Sequence, residues 1–319
     1  MHRAVSTRLK SAVAMPSSIS STPPAPDDFV STVVADDGTR LYTRHYPRGS
    51  APGAGNVYLC DGILCDGFIW RYLLGELRTT FPVVHWNYRG HGRSAAPLGP
   101  GVDIPQLASD LGKVRSRFGK KGSVLIGHSM GCQVALEHAL TDPDGVEAIV
   151  LISGSFGRVT HTFHGMPFLG MVLPQVIDAV LKYPELSRAL WSRLPAELGL
   201  KIALATGEVD GARVNPADML PYLEHLTHVD VDLFLRMLRA AGEHSAWDRL
   251  HTLNVPVLVV VGERDSFTPS FLAKAMAEEL PRGELLFLPN GTHVASLEHH
   301  DYVDAKILDF LQRHVTKPA

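Results

Sequence analysis

A serine hydroxyl is a poor nucleophile at neutral pH. It attacks a carbonyl only with a base at hydrogen-bond distance, and that base needs a carboxylate to orient it. Ser129, His293 and Asp265 could supply such a set. Ser129 is the centre of Gly127-His128-Ser129-Met130-Gly131, which fits G-x-S-x-G. Asp265 follows the apolar run Val255–Val261 in the loop Gly262-Glu263-Arg264-Asp265. His293 follows Glu284–Leu288 in Pro289-Asn290-Gly291-Thr292-His293. Each residue has a plainer reading. A glycine-rich turn can match the pattern by accident. Asp265 could merely cap the helix that begins near Pro269, with Glu263 as the working acid. His293 could be a surface loop residue. Asp265 is preferred because it sits further into the loop, and Gly291 before His293 with a helix after it suits a positioned base. His299 and His300, on that helix, are expected in solvent. His161 and His164 lie three apart without a carboxylate or thiolate at ligand spacing, so no metal is expected there.

Attack on a carbonyl also builds an oxyanion, which needs two N–H donors. One is the backbone N–H of Met130, at the start of the helix after Ser129. The other is expected from the loop after the third strand, where Ile63 follows Asp61-Gly62.

These residues need a scaffold that brings distant loops together. Val124-Leu125-Ile126 reads as a buried strand before Ser129, and Val134, Ala135 and Ala139 mark a helix after it. Glycines at 127 and 131 are expected because Cβ atoms there would collide with the neighbouring helix and strand. Further strands are expected at Phe29–Val34, Leu41–Tyr46, Asn56–Cys60, Val83–Trp86, Ala148–Ile152, Val255–Val261 and Glu284–Leu288. Helices are expected at Phe68–Arg78, Val102–Phe118, Pro269–Glu279 and Tyr302–His314. Alternating strands and helices predict an α/β fold: a mostly parallel central sheet with helices on both faces. The alternation stops in the middle of the chain. There the periodicity is helical throughout and six prolines, Pro167 to Pro221, punctuate it into short helices. The predicted organisation is a disordered tail over 1–28, a first part of the core over 29–157, an inserted helical cap over 158–250 and a second part of the core over 251–319. Phe168, Met171, Leu181, Trp191, Phe234 and Met237 are the cap positions expected to face inward. For any one of them, packing of the cap helices against each other is the simpler explanation.

Composition narrows the partners. The chain has 319 residues, 45% hydrophobic and 20% charged, with a net charge of −3. That is ordinary for a globular protein and gives no basic surface for nucleic acid. No apolar run reaches the roughly 18 residues of a membrane span. Three cysteines, Cys60, Cys65 and Cys132, form no disulfide framework and favour a reducing, cytoplasmic location. The N-terminal apolar stretch Ala12–Met15 is too short for a signal sequence.

Taken together, Gly127-His-Ser-Met-Gly131, Tyr88-Arg-Gly-His-Gly-Arg-Ser94, Gly262-Glu-Arg-Asp265 and Gly291-Thr-His293 resemble the α/β-hydrolase superfamily, in its serine-nucleophile, capped, esterase- and lipase-like branch. The resemblance runs from about residue 29 to 319. It implies a serine hydrolase that works through an acyl-enzyme, without a cofactor; the apolar cap positions, taken together, favour a small-molecule substrate with an apolar or medium-chain acyl group over a charged one. Acyl transfer and carbon–carbon cleavage would use the same triad, and a silent ligand-binding member of the fold is the contrasting reading. Two positions depart from the family. Asp61 stands where many relatives have His before the glycine, and Asn87 where many have Asp. A carboxylate beside an oxyanion hole is a physical problem, so Asp61 is expected to point away from Ser129. Its expected partners are Arg89 and Arg93 or, equally, backbone N–H groups of its own loop.

Overall fold

A computed structural model describes residues 28–47, 55–158, 168–183, 207–226 and 228–315, with isolated positions between 185 and 205. Eight strands form one sheet in the order β1-β2-β4-β3-β5-β6-β7-β8. They are β1 (Phe29–Val34), β2 (Arg40–Tyr46), β3 (Val57–Cys60), β4 (Val83–Trp86), β5 (Ser123–His128), β6 (Val146–Ile152), β7 (Val257–Gly262) and β8 (Gly283–Leu288). β2 runs antiparallel to both β1 and β4, while every pairing from β4 to β8 is parallel. The mostly parallel sheet expected from the strand–helix alternation is therefore the one observed.

The parallel strands from β4 to β7 are wholly or mostly buried because helices cover both faces, while the edge strand β8 is largely half-buried. Successive side chains serve opposite layers. Leu125, Ile149, Leu151 and Val259 pack with α2 (Ile104–Phe118), α3 (Met130–Thr141) and, beyond the helical segment, α7 (Ser270–Glu279). Val124, Ile126, Val150 and Val260 pack with α1 (Leu73–Leu77) and the closing helix α9 (His300–His314). The chain leaves β3 toward one face and β4 toward the other, so the order reverses between β3 and β5. A crevice opens there at the carboxyl ends of the strands. The loops after β3 and β5 face each other across it.

Sequence periodicity predicts one helix over Phe68–Arg78. Instead a 3₁₀ turn, Phe68–Trp70, is entered through Gly67 at φ 100°, and only Leu73–Leu77 is α-helical. The tighter turn brings the Trp70 indole within 2.5 Å of Asp61.

Between β6 and β7 the described helices are α4 (Phe168–Lys182), α5 (Pro216–Leu226) and α6 (Val231–Glu243). Pro174 and Pro221 lie inside α4 and α5 rather than ending them. Packing holds these helices through the lost hydrogen bond; Ile177 of α4, for example, is buried against Val231 and Leu235 of α6. The segment departs and returns side by side. Gly157 bridges Ser245, Arg158 N–H donates to His244 O at 2.9 Å and Ala246 N–H to Phe156 O at 2.8 Å. Among the described residues no helix is long and apolar enough to cross a membrane.

Candidate active site

β5 ends in a strained turn. Ser129 has φ 53° and ψ −120°, a backbone region that costs about 1–3 kcal/mol and persists only when its surroundings dictate it. Its N–H donates to Ile152 O at 3.0 Å. A Cβ on residue 127 would lie 2.4 Å from Gly131 O, and one on residue 131 would lie 2.1 Å from Cys60 O. Both glycines are thus required by contact with helix α3 and strand β3, as the sequence suggested.

The structure brings Ser129, His293 and Asp265 into one chain of hydrogen bonds. His293 Nε2 is 3.0 Å from Ser129 Oγ, and His293 Nδ1 is 3.0 Å from each oxygen of Asp265. A carboxylate can only accept, so Nδ1 carries the hydrogen and Nε2 offers its lone pair to the serine hydroxyl. Asp265 is buried, and its own loop holds it: it accepts from Phe267 N–H at 3.0 Å, Thr268 N–H at 2.8 Å and the Thr268 hydroxyl at 2.9 Å. It therefore braces the loop before α7 and also holds the imidazole. Glu263 is exposed and accepts from Asn290 N–H at 2.9 Å, away from His293.

One residue that sequence reasoning missed fixes this histidine loop. Buried Glu298, on the short helix α8 (Ala295–Glu298), accepts from Thr292 N–H at 2.8 Å, the Thr292 hydroxyl at 2.6 Å and Asp210 N–H at 2.9 Å. It joins the loop before His293 to the helical segment. Its position six residues after Thr292 gave no periodic signal. His300, expected in solvent, is half-buried and stacks on Tyr72 with ring centroids 4.0 Å apart, and His299 is half-buried beside it. His161 and His164 lie outside the described residues.

The loop after β3 faces Ser129. A Cβ on residue 62 would come within 3.2 Å of Ser129 Cβ, so the bare glycine lets the two loops meet. Cys65 N–H donates to Gly62 O at 3.2 Å, closing a turn with Leu64 at φ 61°. Leu64 N–H donates to His91 Nε2 at 3.3 Å, and His91 Nδ1 donates to Arg89 O at 3.1 Å. This pattern needs a neutral ring, and burial supplies one by pushing the His91 imidazole down to about 4. Ile63 lines the space beside Ser129, and Met130 opens α3, where the first N–H groups have no helical acceptor. His128 is also kept neutral: burial, then the neighbouring His293, push it down to about 3. Its Nε2 faces His293 O at 3.3 Å.

Asp61 does not have the partners expected for it. Its carboxylate is wholly buried and accepts from Trp70 Nε1 at 2.5 Å and His85 Nε2 at 2.9 Å. Arg89 is taken instead by Asp110, at 2.8 and 2.7 Å, and by Asp37 at 2.8 Å. The Arg93 guanidinium lies over Tyr42. Among the described residues no backbone N–H of its own loop donates to the carboxylate, whose hydrogen-bond partners are the indole and the imidazole.

A cavity of about 170 Å³ opens beside Ser129. Gly62, Ile63, Ser129 and His293 form its polar side; Phe68, Val209, Met219 and Tyr222 are among its apolar walls. Glu208, at its rim, accepts a hydrogen bond from the Ser266 hydroxyl. Of the inward cap positions expected from the sequence, Phe234 and Met237 do face inward but are not among the residues that line this cavity. Met237 is wholly buried in the layer under α2 and α3, and Phe234 packs against that layer. The side chains of Phe168, Met171, Leu181 and Trp191 lie outside the described residues. The available signal was the spacing of Met219, Tyr222 and Leu223, one face of α5. A larger groove of about 440 Å³, between α2 and α3, contains none of the residues named for the site.

A family model and several known proteins match this chain. The model of the alpha/beta hydrolase family matches residues 15–305. The chain is 25% identical over 273 residues to "Putative carbamate hydrolase RutD" of Caulobacter sp. (strain K31), covering 82% of this chain and 92% of the relative. The esterase EaEST from Exiguobacterium antarcticum superposes with a TM-score of 0.70 at 20% identity, covering 89% of this chain and 100% of that one. The enol-lactonase from Burkholderia xenovorans LB400 gives 0.63 at 19% identity, covering 88% and 100%. At these identities the two structures speak for the fold alone.

Proposed function

We propose, from the premise that the chain belongs to the alpha/beta hydrolase family, that it is a serine hydrolase cleaving carboxylic esters or related acyl bonds of small, largely apolar molecules. One observation carries the reading: His293 stands 3.0 Å from Ser129 Oγ on one side and 3.0 Å from Asp265 on the other, at the edge of a cavity. Ser129 Oγ bonds to the carbonyl carbon as its proton passes to His293 Nε2. Asp265 holds the imidazole and stabilises its charged form. The oxyanion that forms is received by the N–H groups of Met130 and Ile63. In the loop of Ile63, the next two N–H groups are engaged, with His91 and Gly62 O. The tetrahedral adduct collapses and expels the alcohol, which takes the proton from His293. Water then repeats the sequence on the acyl-enzyme, releasing the acid and restoring Ser129. The helical segment over 158–250 acts as the cap. It supplies Val209, Met219 and Tyr222 to the cavity wall and keeps bulk water from the acyl group.

The carbamate chemistry in the name of the Caulobacter relative needs the same attack on a carbonyl carbon. A nitrophenyl acetate assay tests the reading, with a nitrophenyl carbamate as second substrate. The wild type should release a burst of nitrophenol equal to the enzyme present, and Ser129→Ala should release none. Equal release from both proteins would sink the proposal.

A further inference from the structure

The walls of the cavity carry a size limit. An apolar cavity of about 150 Å³ is filled by one benzene molecule. The space beside Ser129 is about 170 Å³. Among the described residues, a space of that size seats a group of roughly six or seven non-hydrogen atoms.

One wall is a ring stack between two elements. Tyr222 of α5 lies on Phe68, with centroids 4.8 Å apart and planes at 27°, and both rings line the cavity. The helix that carries Tyr222 is tied down on either side of it. Four residues earlier, Asp218 accepts from the Tyr72 hydroxyl at 2.6 Å and pairs with Arg71 at 2.8 Å. Three residues later, His225 Nδ1 lies 3.9 Å from Asp66. Residues 218, 222 and 225 share one helical face, and that face meets segment 66–72. The helix that carries Tyr222 is thereby held against segment 66–72, and outward rotation of the ring itself would break its stack on Phe68. A phenol is neutral at neutral pH and burial raises its pKa further, so this ring presents no charge to an acyl chain.

We infer that Tyr222, stacked on Phe68, sets the upper length of the acyl group and restricts the enzyme to esters of short acids, with a cut-off near hexanoyl. The inference rests on the proposed function and deepens it. Each methylene that finds apolar room should raise kcat/KM by roughly fourfold, the equivalent of about 0.8 kcal/mol. That gain should stop, then reverse, where the chain meets the ring.

The experiment is a series of nitrophenyl esters from acetyl to decanoyl, read as the ratio of octanoyl to butanoyl kcat/KM. The wild type should give a ratio below about 0.1. Tyr222→Ala should raise it at least tenfold, Tyr222→Trp should lower it further, and Tyr222→Phe, which keeps the ring, should leave it unchanged. A wild-type ratio at or above one overturns the inference, as does a ratio that Tyr222→Ala does not move. If Tyr222→Ala fails to fold, Tyr222→Trp decides, and an unmoved ratio there overturns it equally. A wild type with no Ser129-dependent turnover at any length overturns the proposed function itself. Ser129-dependent turnover without a cut-off overturns only the role of Tyr222.

Discussion

Asp265 and Asp61 are both buried carboxylates with a histidine nitrogen at hydrogen-bond distance, 3.0 Å to His293 and 2.9 Å to His85. Their surroundings differ in two ways. Asp265 gathers three donors from its own loop before it meets His293. Asp61 draws both its side-chain partners from elsewhere, Trp70 in a 3₁₀ turn and His85 in β4. The second difference lies beyond the imidazole. His293 is 14% exposed at the cavity edge, and its far nitrogen reaches Ser129. His85 is wholly buried, and its Nδ1 meets no polar partner among the described residues. A carboxylate–imidazole pair is therefore not in itself a catalytic device. It becomes one when the second nitrogen opens onto a hydroxyl and a space for substrate. When that nitrogen ends in the core, the pair is a tie between a loop and a strand.

The sharpest way to break this contrast is to cut the first pair. Ser129→Ala or His293→Ala should lower kcat by roughly 10⁶, since members of such a set act as a unit. Asp265→Asn should lower it by roughly 10⁴, through loss of the correct imidazole tautomer. Steady-state nitrophenol release measures all three, with circular dichroism to verify folding. Glu263→Gln is the matched comparison, a carboxylate from the same loop, and should stay within about twofold because its contact is an exposed one to Asn290. Were Glu263→Gln the worse of the two, the acid would be misassigned.

Much of this was legible in the chain, for physical reasons that differ by region. The elbow could be read because backbone clashes at residues 127 and 131 leave only glycine, a constraint written into local sequence. Asp265 and His293 could be read because parallel strands deliver their loops to one edge, so position after a strand implies position at the site. The partners of Asp61 could not be read. Trp70 and His85 stand 9 and 24 residues away, and the sheet order that places β4 next to β3 brings His85 close. Arg89, nearer in expectation, is claimed by Asp110 and Asp37, whose proximity is also tertiary. The cavity wall was missed for a related reason. Helical periodicity marks which side of a helix is apolar but not what it covers. Met237 covers the core layer, while Met219 and Tyr222 cover the cavity.

A second group of histidines sharpens the contrast on the stability side. Burial pushes His91 and His138 down to about 4 and His128 to about 3. All three are held neutral in the folded protein, whereas the unfolded chain takes up protons below about 6.5. Their folded values are depressed, so the stability they allow is fully present above the unfolded value. It is lost as pH falls from about 6.5 toward 4. The expected outcome is a lower Tm at pH 5 than at pH 7. His138→Gln, whose amide oxygen can still accept from Arg115, should flatten that dependence. An unchanged slope in the variant would count against the assignment.

Only a small effect on turnover is expected from the second pair. Two unit negative charges 4 Å apart, at an effective dielectric of 20, repel by roughly 4 kcal/mol. That is about three powers of ten in rate if the charge faces the oxyanion. In the structure the Asp61 carboxylate is engaged by the Trp70 indole and the His85 imidazole, while the Asp61 carbonyl accepts from the Tyr88 hydroxyl at 2.8 Å. Asp61→Asn should accordingly leave kcat within about threefold. It should still cost stability. The amide offers one acceptor where the carboxylate offers two, and it sets an NH₂ group against His85 Nε2. That nitrogen can accept only by moving its proton to Nδ1, which has no partner among the described residues. One buried polar group is left unsatisfied either way, at about 2 kcal/mol. Urea denaturation and nitrophenol release on the same preparation separate the two effects. A loss of stability with unchanged turnover is the signature of a tie. A hundredfold gain in turnover would mean that Asp61 acts on the oxyanion after all, and that the two carboxylates differ less than their surroundings indicate.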